Sequence, residues 1–243
     1  MAALLQIGWS FLPGLLWLWW IYRRDTYEPE PGKALARAWG AGMLAVIPAA
    51  LLNGVGTAVF PVQQATPVSA ALGSMVVIGP VEEGVKFAAL WLAAVRFADF
   101  DETVDGLVYS GAVALGFASL ENLLYIQEHG WQVIHLRTFT AVPGHFLFIA
   151  PIGFALGMRH APPEVPRPSL FWAFVAAAAL HGIYDAGLFV TQANPKLGLT
   201  LLLPLGVLVG GAVLYFHYLR VLRRHSAFRP DAPGRRFSVP GQG

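Results

Sequence analysis

Long apolar runs dominate the chain, and most polar residues fall between them. Seven runs are about the ~20 residues that a helix needs to cross the hydrocarbon core: Leu4–Tyr22, Ala34–Phe60, Val68–Phe97, Gly106–Gln127, Ala141–Met158, Ser169–Val190 and Leu197–Leu219. The second and third are long and contain Pro48 and Pro80. A proline inside a helix removes a hydrogen bond, so tilting or kinking is expected there. The pattern predicts an all-α, polytopic integral membrane protein of about seven transmembrane helices, with residues 1–219 as one transmembrane domain.

Charge order orients these spans. No lysine or arginine precedes the first run, whereas Arg23 and Arg24 follow it directly. A secretory signal has the opposite order, so the first run reads as a retained helix with its N-terminus outside. Seven spans then place Arg23, Arg24, Lys33, Arg37, Arg96, Arg159 and Arg167 on the cytoplasmic side, against Arg137 and Lys196 outside. This is the positive-inside bias, and it puts the C-terminus in the cytoplasm. Residues 220–243 are basic and rich in proline and glycine, which predicts a flexible cytoplasmic tail that anchors topology or meets anionic headgroups.

Composition narrows the function classes. Of 243 residues, 56% are hydrophobic and only 12% charged, about half the charge of an average soluble domain. A formal charge of +2, with basic residues confined to the flanks, gives no footprint for nucleic acid. The absence of cysteine excludes disulfides, thiolate metal sites and thiol catalysis.

Against this apolar background the ionisable residues inside the spans are the informative ones, because a charge in hydrocarbon costs several kcal/mol and is usually functional. They are Glu82, Glu83, Lys86, Glu121, His145, His181 and Asp185. On a helix Lys86 reaches either Glu82, four residues back, or Glu83, three back. Adjacent residues point about 100° apart, so one glutamate is expected to pair with the lysine while the other faces a cavity as a general base. A buried ion-pair staple is the competing reading. Glu121 shares a helix face with Phe117 and Tyr125, and His181 shares one with Asp185. The latter spacing suits two metal ligands, or a histidine oriented by its carboxylate. Asp105 is expected to cap the fourth helix.

Depth links these groups. At ~1.5 Å per residue, Glu121, His145, His181 and Asp185 lie ~6–14 Å from the outer end of their spans, and the two glutamates lie near ~21 Å. One shared site in the outer half of the bilayer is the economical reading. Four carboxylates against Lys86 leave up to three negative charges uncompensated. Protonation or a bound cation must balance them, and two histidines with carboxylates suit Zn²⁺.

The ordered set Glu82-Glu83-x-x-Lys86, Asp105-Gly106-x-x-Tyr109, Gly116-Phe117-Ala118-x-x-Glu121-Asn122-x-x-Tyr125, His145 and His181-x-x-x-Asp185 resembles the PrsW family of polytopic intramembrane proteases. The resemblance runs from about residue 80 to 185. It extends to the wider superfamily of CAAX prenyl endopeptidases, where a histidine stands in place of Glu121 and commonly an asparagine in place of Asp185. The resemblance implies that Glu82 or Glu83 activates water while the other is held by Lys86. It also implies that Glu121, His145 and His181 lead the metal ligands, with Asp185 as a fourth or as the partner of His181. Asn122 and Tyr125 become oxyanion donors or supports of Glu121, and Arg137 a residue that orients substrate or a headgroup.

The expected function is therefore an intramembrane endopeptidase of a bacterial plasma membrane, cleaving single-span membrane proteins such as an anti-sigma factor near their extracytoplasmic side. Water would be activated by glutamate and polarised by zinc. A metal-free glutamate protease is the mechanistic alternative. An ion- or proton-coupled transporter and a non-catalytic scaffold of the CAAX-related superfamily are the rival classes.

Overall fold

The computed structural model describes residues 2–60 and 66–231, and no strand occurs among them. Helix α1 (Ala2–Tyr22) leads to α2 (Gly32–Val59). A continuous rod then runs through α3 (Pro67–Gly73), a π-helical turn (Ser74–Ile78), α4 (Gly79–Leu90) and a second π-helical turn (Trp91–Val95). Next come α5 (Asp105–His129), the short α6 (Val133–Phe139), α7 (Ala141–Gly157) and α8 (Leu170–Ala193). A 3₁₀ segment (Pro195–Leu201) leads into α9 (Leu202–His225).

Six stretches of helix are long and apolar enough to cross a membrane: residues 32–59, 67–95, 105–129, 133–160, 170–193 and 195–225. The expected first span corresponds to α1, which is a helix of 21 residues but is not among those six. At the other end the chain stays helical through His225, so the expected tail begins as helix and residues 232–243 of it lie outside the described residues. Helix α6 was not legible as an apolar run, because it is only seven residues long.

Packing follows from residue size and polarity. Helix α7 is apolar on all sides and buried along nearly its whole length, as a helix without a polar face must be. It packs against α5, α8 and α9, while α5 also packs against α1 and α2. Helix α2 keeps Leu44, Leu51, Val55 and Val59 exposed, the apolar surface expected of a lipid-facing helix. Glycine permits the contact that matters most for the site. A Cβ at Gly79 would run into the Ala178 carbonyl, and one at Gly182 into the backbone at Ser74 and Met75. Small residues here let the backbones of α4 and α8 touch. Pro80 lies inside the continuous rod just after the π-helical turn, so the irregular turn falls where the proline cannot donate a backbone hydrogen bond. Widened turns of this kind are frequent at functional sites.

A second polar cluster lies at the end of the bundle that the basic residues assign to the cytoplasm. Asp25, Glu30, Glu102 and Asp105 are all buried there. Tyr109 donates to Glu30 and Ser226 donates to Glu102. Asp105 differs from its expected capping role. It is the first residue of α5, and its carboxylate accepts from the Asp101 and Glu102 amides at 2.8 Å each. It therefore closes the turn before the helix, whereas an N-cap precedes its helix and accepts from amides within it.

This cluster makes stability depend on pH. Burial, reinforced by Glu102 and Glu30, pushes the Asp25 carboxyl up to about 7. Burial also raises Glu30 and Glu102. A carboxyl whose pKa is raised on folding stabilises fully below its unfolded pKa, and that contribution is lost as pH climbs through the folded value. The melting temperature of the purified protein in detergent is expected to fall as pH rises from about 4 toward 7, the interval between the ordinary and the folded value for Asp25. Asp25→Asn should flatten the slope across that window. A melting temperature that climbs with pH there would contradict the assignment.

Candidate active site

A cavity of about 820 Å³ opens among α2, α4, α5, α6, α7, α8 and α9. Glu82, Glu121, His145, His181 and Asp185 border it, and apolar side chains such as Phe189, Leu205 and Leu208 form part of its wall. The five polar groups come from four helices, so the structure brings them into one site.

Lys86 organises one side of this site. It is wholly buried, and its ammonium donates to Glu83 Oε1 at 2.6 Å. The same nitrogen is 3.0 Å from His145 Nδ1 and lies over the ring of Phe117. His181 Nδ1 is 2.8 Å from the same Glu83 oxygen. Glu83 is thus held by a lysine and a histidine, away from the cavity. Glu82, one residue earlier and about 100° around the helix, borders the cavity instead. Its Oε2 is buried without a hydrogen-bond partner, 3.7 Å from His181 Nε2 and 3.9 Å from Lys86 Nζ.

His145 and His181 face each other with perpendicular rings and centroids 5.3 Å apart, and Phe148 stacks on His181. Glu82, His145 and His181 each offer one donor atom within 4.8 Å of the others, and all three are buried. Two imidazoles and a carboxylate suit a zinc site that keeps a position open. The unpartnered oxygen on Glu82 stands close enough to face water bound at such an ion. Asp185 Oδ2 lies 3.4 Å from His181 Nε2.

Glu121 is engaged elsewhere. Its Oε2 pairs with the Arg137 guanidinium and lies 2.9 Å from His145 Nε2. Arg137 comes from α6, is buried, and also donates from Nε to Asn122 Oδ1 at 2.7 Å while stacking over Tyr125. Asn122 in turn donates to the Ser10 carbonyl at 3.3 Å. Asn122 therefore braces Arg137 and α1, and Tyr125 borders the cavity beneath the guanidinium. The charge balance also differs from the sequence count, which opposed only Lys86 to four carboxylates. Arg137 supplies a second cation, leaving two carboxylates rather than three uncompensated.

Sequence reasoning missed Asn53 of α2, whose Nδ2 donates to Glu82 Oε1 at 3.1 Å. A side-chain amide within an apolar span was the available signal. Phe148 was missed too, since a phenylalanine in an apolar helix carries no mark of a role at a site.

The two glutamates are expected to separate experimentally. Glu83→Gln leaves a buried ammonium without its carboxylate, which should cost about 3–5 kcal/mol of folding stability. The double variant Glu83→Gln/Lys86→Met should recover much of that loss. Glu82→Gln should change the melting temperature far less. Equal destabilisation by the two single Gln variants, measured by thermal unfolding in detergent, would overturn this division.

Comparison with known proteins matches this arrangement to a family. The model of the PrsW family intramembrane metalloproteases matches residues 30–216. Protease PrsW of Geobacillus kaustophilus (strain HTA426) is 35% identical over 185 residues, covering 76% of this chain and 79% of that protein. Protease PrsW of Bacillus subtilis (strain 168) is 32% identical over 192 residues, covering 76% and 82%. Protease PrsW of Clostridioides difficile (strain 630) is 31% identical over 182 residues, covering 72% and 76%. No solved structure matches the chain. The matched region holds every polar group that borders the cavity floor, in an all-helical protein integral to a membrane, and the chain belongs to the PrsW family of intramembrane proteases.

Proposed function

We propose that this protease cuts single-span membrane proteins of the anti-sigma-factor type near the extracytoplasmic end of their transmembrane segment, and that Glu82 is the carboxylate that activates water. The observation that carries this reading is the contrast between the two glutamates. Each glutamate keeps an Oε2 without a hydrogen-bond partner, but Glu83 is bound through Oε1 by Lys86 and His181 and does not line the cavity, whereas Glu82 does. A carboxylate so placed accepts the proton that water gives up as it attacks a peptide carbonyl.

His145 and His181 would hold the metal that the family name implies, and Glu82, whose carboxylate lies within reach of the same centre, would take the proton of water bound there. Zinc bound there would polarise water and the substrate carbonyl. The chain's own groups do the rest. Lys86 holds Glu83 aside, Phe148 fixes the plane of the His181 ring, and Arg137 with Glu121 sets the position of His145. A second reading, metal-free glutamate catalysis, draws on one specific contact. The Lys86 ammonium lies 3.0 Å from His145 Nδ1 and brings positive charge to the donors without an ion. Glu82 is indispensable in both readings.

The location follows from topology. The basic residues put the C-terminus in the cytoplasm, and on that topology α6 lies at the extracytoplasmic surface of a bacterial plasma membrane. Arg137 of that helix reaches Glu121 in the site. A substrate helix must unwind before its carbonyl meets water, and unwinding is easier near its end than at mid-bilayer.

Two measurements test the proposal. In the first, elemental analysis of the purified protein should show bound zinc that His145→Ala and His181→Ala remove. An active wild-type protein without zinc would shift the mechanism to the metal-free reading. In the second, a co-expressed single-span substrate should be cut at the outer end of its transmembrane segment, as mapped by mass spectrometry. Glu82→Gln should lower turnover by about 10²–10⁴-fold. A dominant cut in the cytoplasmic half would refute this siting.

A further inference from the structure

Asn53 sits on the part of α2 that faces the cavity, between residues that face lipid. Leu51 is 68% exposed and Val55 72%. A carboxamide in such a helix is costly unless it finds partners. Its Nδ2 donates to Glu82 Oε1 at 3.1 Å, and among the described residues this is the hydrogen bond that Glu82 receives. Thr57, one turn further on, donates to the main-chain carbonyl of Asn53 at 2.7 Å and also borders the cavity.

The alternative position for Glu82 lies close by. Lys86 is four residues along the same helix, with its Nζ 3.9 Å from Glu82 Oε2. If Glu82 swung onto that ammonium, Lys86 would bind both glutamates and no carboxylate on α4 would remain for water. The Asn53 hydrogen bond opposes this movement from the far side of the cavity. It distinguishes the two oxygens, fixing Oε1 and leaving Oε2 without a partner toward His181.

We propose that Asn53 is a positioning residue that holds Glu82 off Lys86 and aims its unpaired oxygen at the reacting centre. This inference rests on the assignment of Glu82 as the water-activating carboxylate, and assigns α2 a part in the site besides its lipid-facing one.

The test uses the full-length protein in bicelles and one readout independent of turnover. Infrared bands of the Glu82 carboxylate, isolated by subtracting the spectrum of Glu82→Gln, should move in Asn53→Leu because one hydrogen-bond donor is lost. On a cleavable single-span substrate, Asn53→Leu should lower kcat by roughly tenfold to a hundredfold, as loss of an orienting partner does. KM should stay essentially unchanged. The melting temperature should hold or rise, because leucine suits a lipid-exposed helix better than asparagine. Asn53→Gln keeps the donor and should regain part of the lost kcat. An unmoved infrared band, an unchanged kcat, or a loss expressed only in KM would overturn the inference. So would a loss of kcat that tracks a fall in stability. If the wild-type protein cuts no single-span substrate, the proposed function fails while the infrared comparison still decides the role of Asn53.

Discussion

The site depends on a buried ammonium. Lys86 has no exposed surface, and a lysine in that position must be met by acceptors or it costs more than the fold can sustain. Glu83 supplies the charge and His145 a ring nitrogen. These partners lie on α4 and α7, and Glu83 recruits His181 from α8. Satisfying one cation therefore brings three helices to a point. The glycine contacts between α4 and α8 make this approach sterically possible. The division between the glutamates is a further consequence: the one that faces Lys86 is occupied, and its neighbour along the helix borders the open cavity.

Arg137 performs a similar service at the outer rim. It enters from α6, a helix of seven residues at the start of the stretch 133–160. Its guanidinium pairs with Glu121, bonds Asn122 and covers Tyr125. Glu121 is thereby held with its Oε2 beside the His145 ring. A planar, permanently charged group with several donors suits this bridging position, which a lysine would fill less completely.

Much of this was legible in the sequence, and the parts that were not share a cause. Run length locates the spans at 32–59, 67–95, 105–129 and 170–193 to within a few residues, because about twenty apolar residues have few other uses, but it misses α6 ahead of the span at 133–160 and the last turns of α9. The same arithmetic places Glu121, His145, His181 and Asp185 near one end of their helices, and in the structure all four border one cavity. Spacing along α4 shows that Lys86 reaches two glutamates, but not which it prefers, since that depends on His145 and His181 on other helices. Arg137 reads as a loop residue until α6 turns it inward, and Asn53 reads as an isolated amide until α2 packs beside α4. Asp105 looks like a cap by residue type alone, while its carboxylate faces the preceding turn. Local pattern determines what is available to each helix, whereas a partner that arrives from another helix depends on packing.

The two ends of the bundle show how burial can be put to different uses. At the end that holds the α1–α2 linker, Asp25, Glu30, Glu102 and Asp105 are buried among amides and hydroxyls, and the ion pairs among the described residues include none of them. Such carboxyls gain by holding protons, and they tie the α1–α2 linker to the start of α5 and the end of α9. In the active site, by contrast, Lys86 and Arg137 are each paired with a carboxylate. Glu82 stands at the edge of that arrangement with one oxygen left over. Hydrolysis inside a membrane needs water to reach a base that lipid cannot cover. A cavity lined by polar groups on one part and apolar side chains on the rest offers water a place beside Glu82 that lipid would otherwise cover.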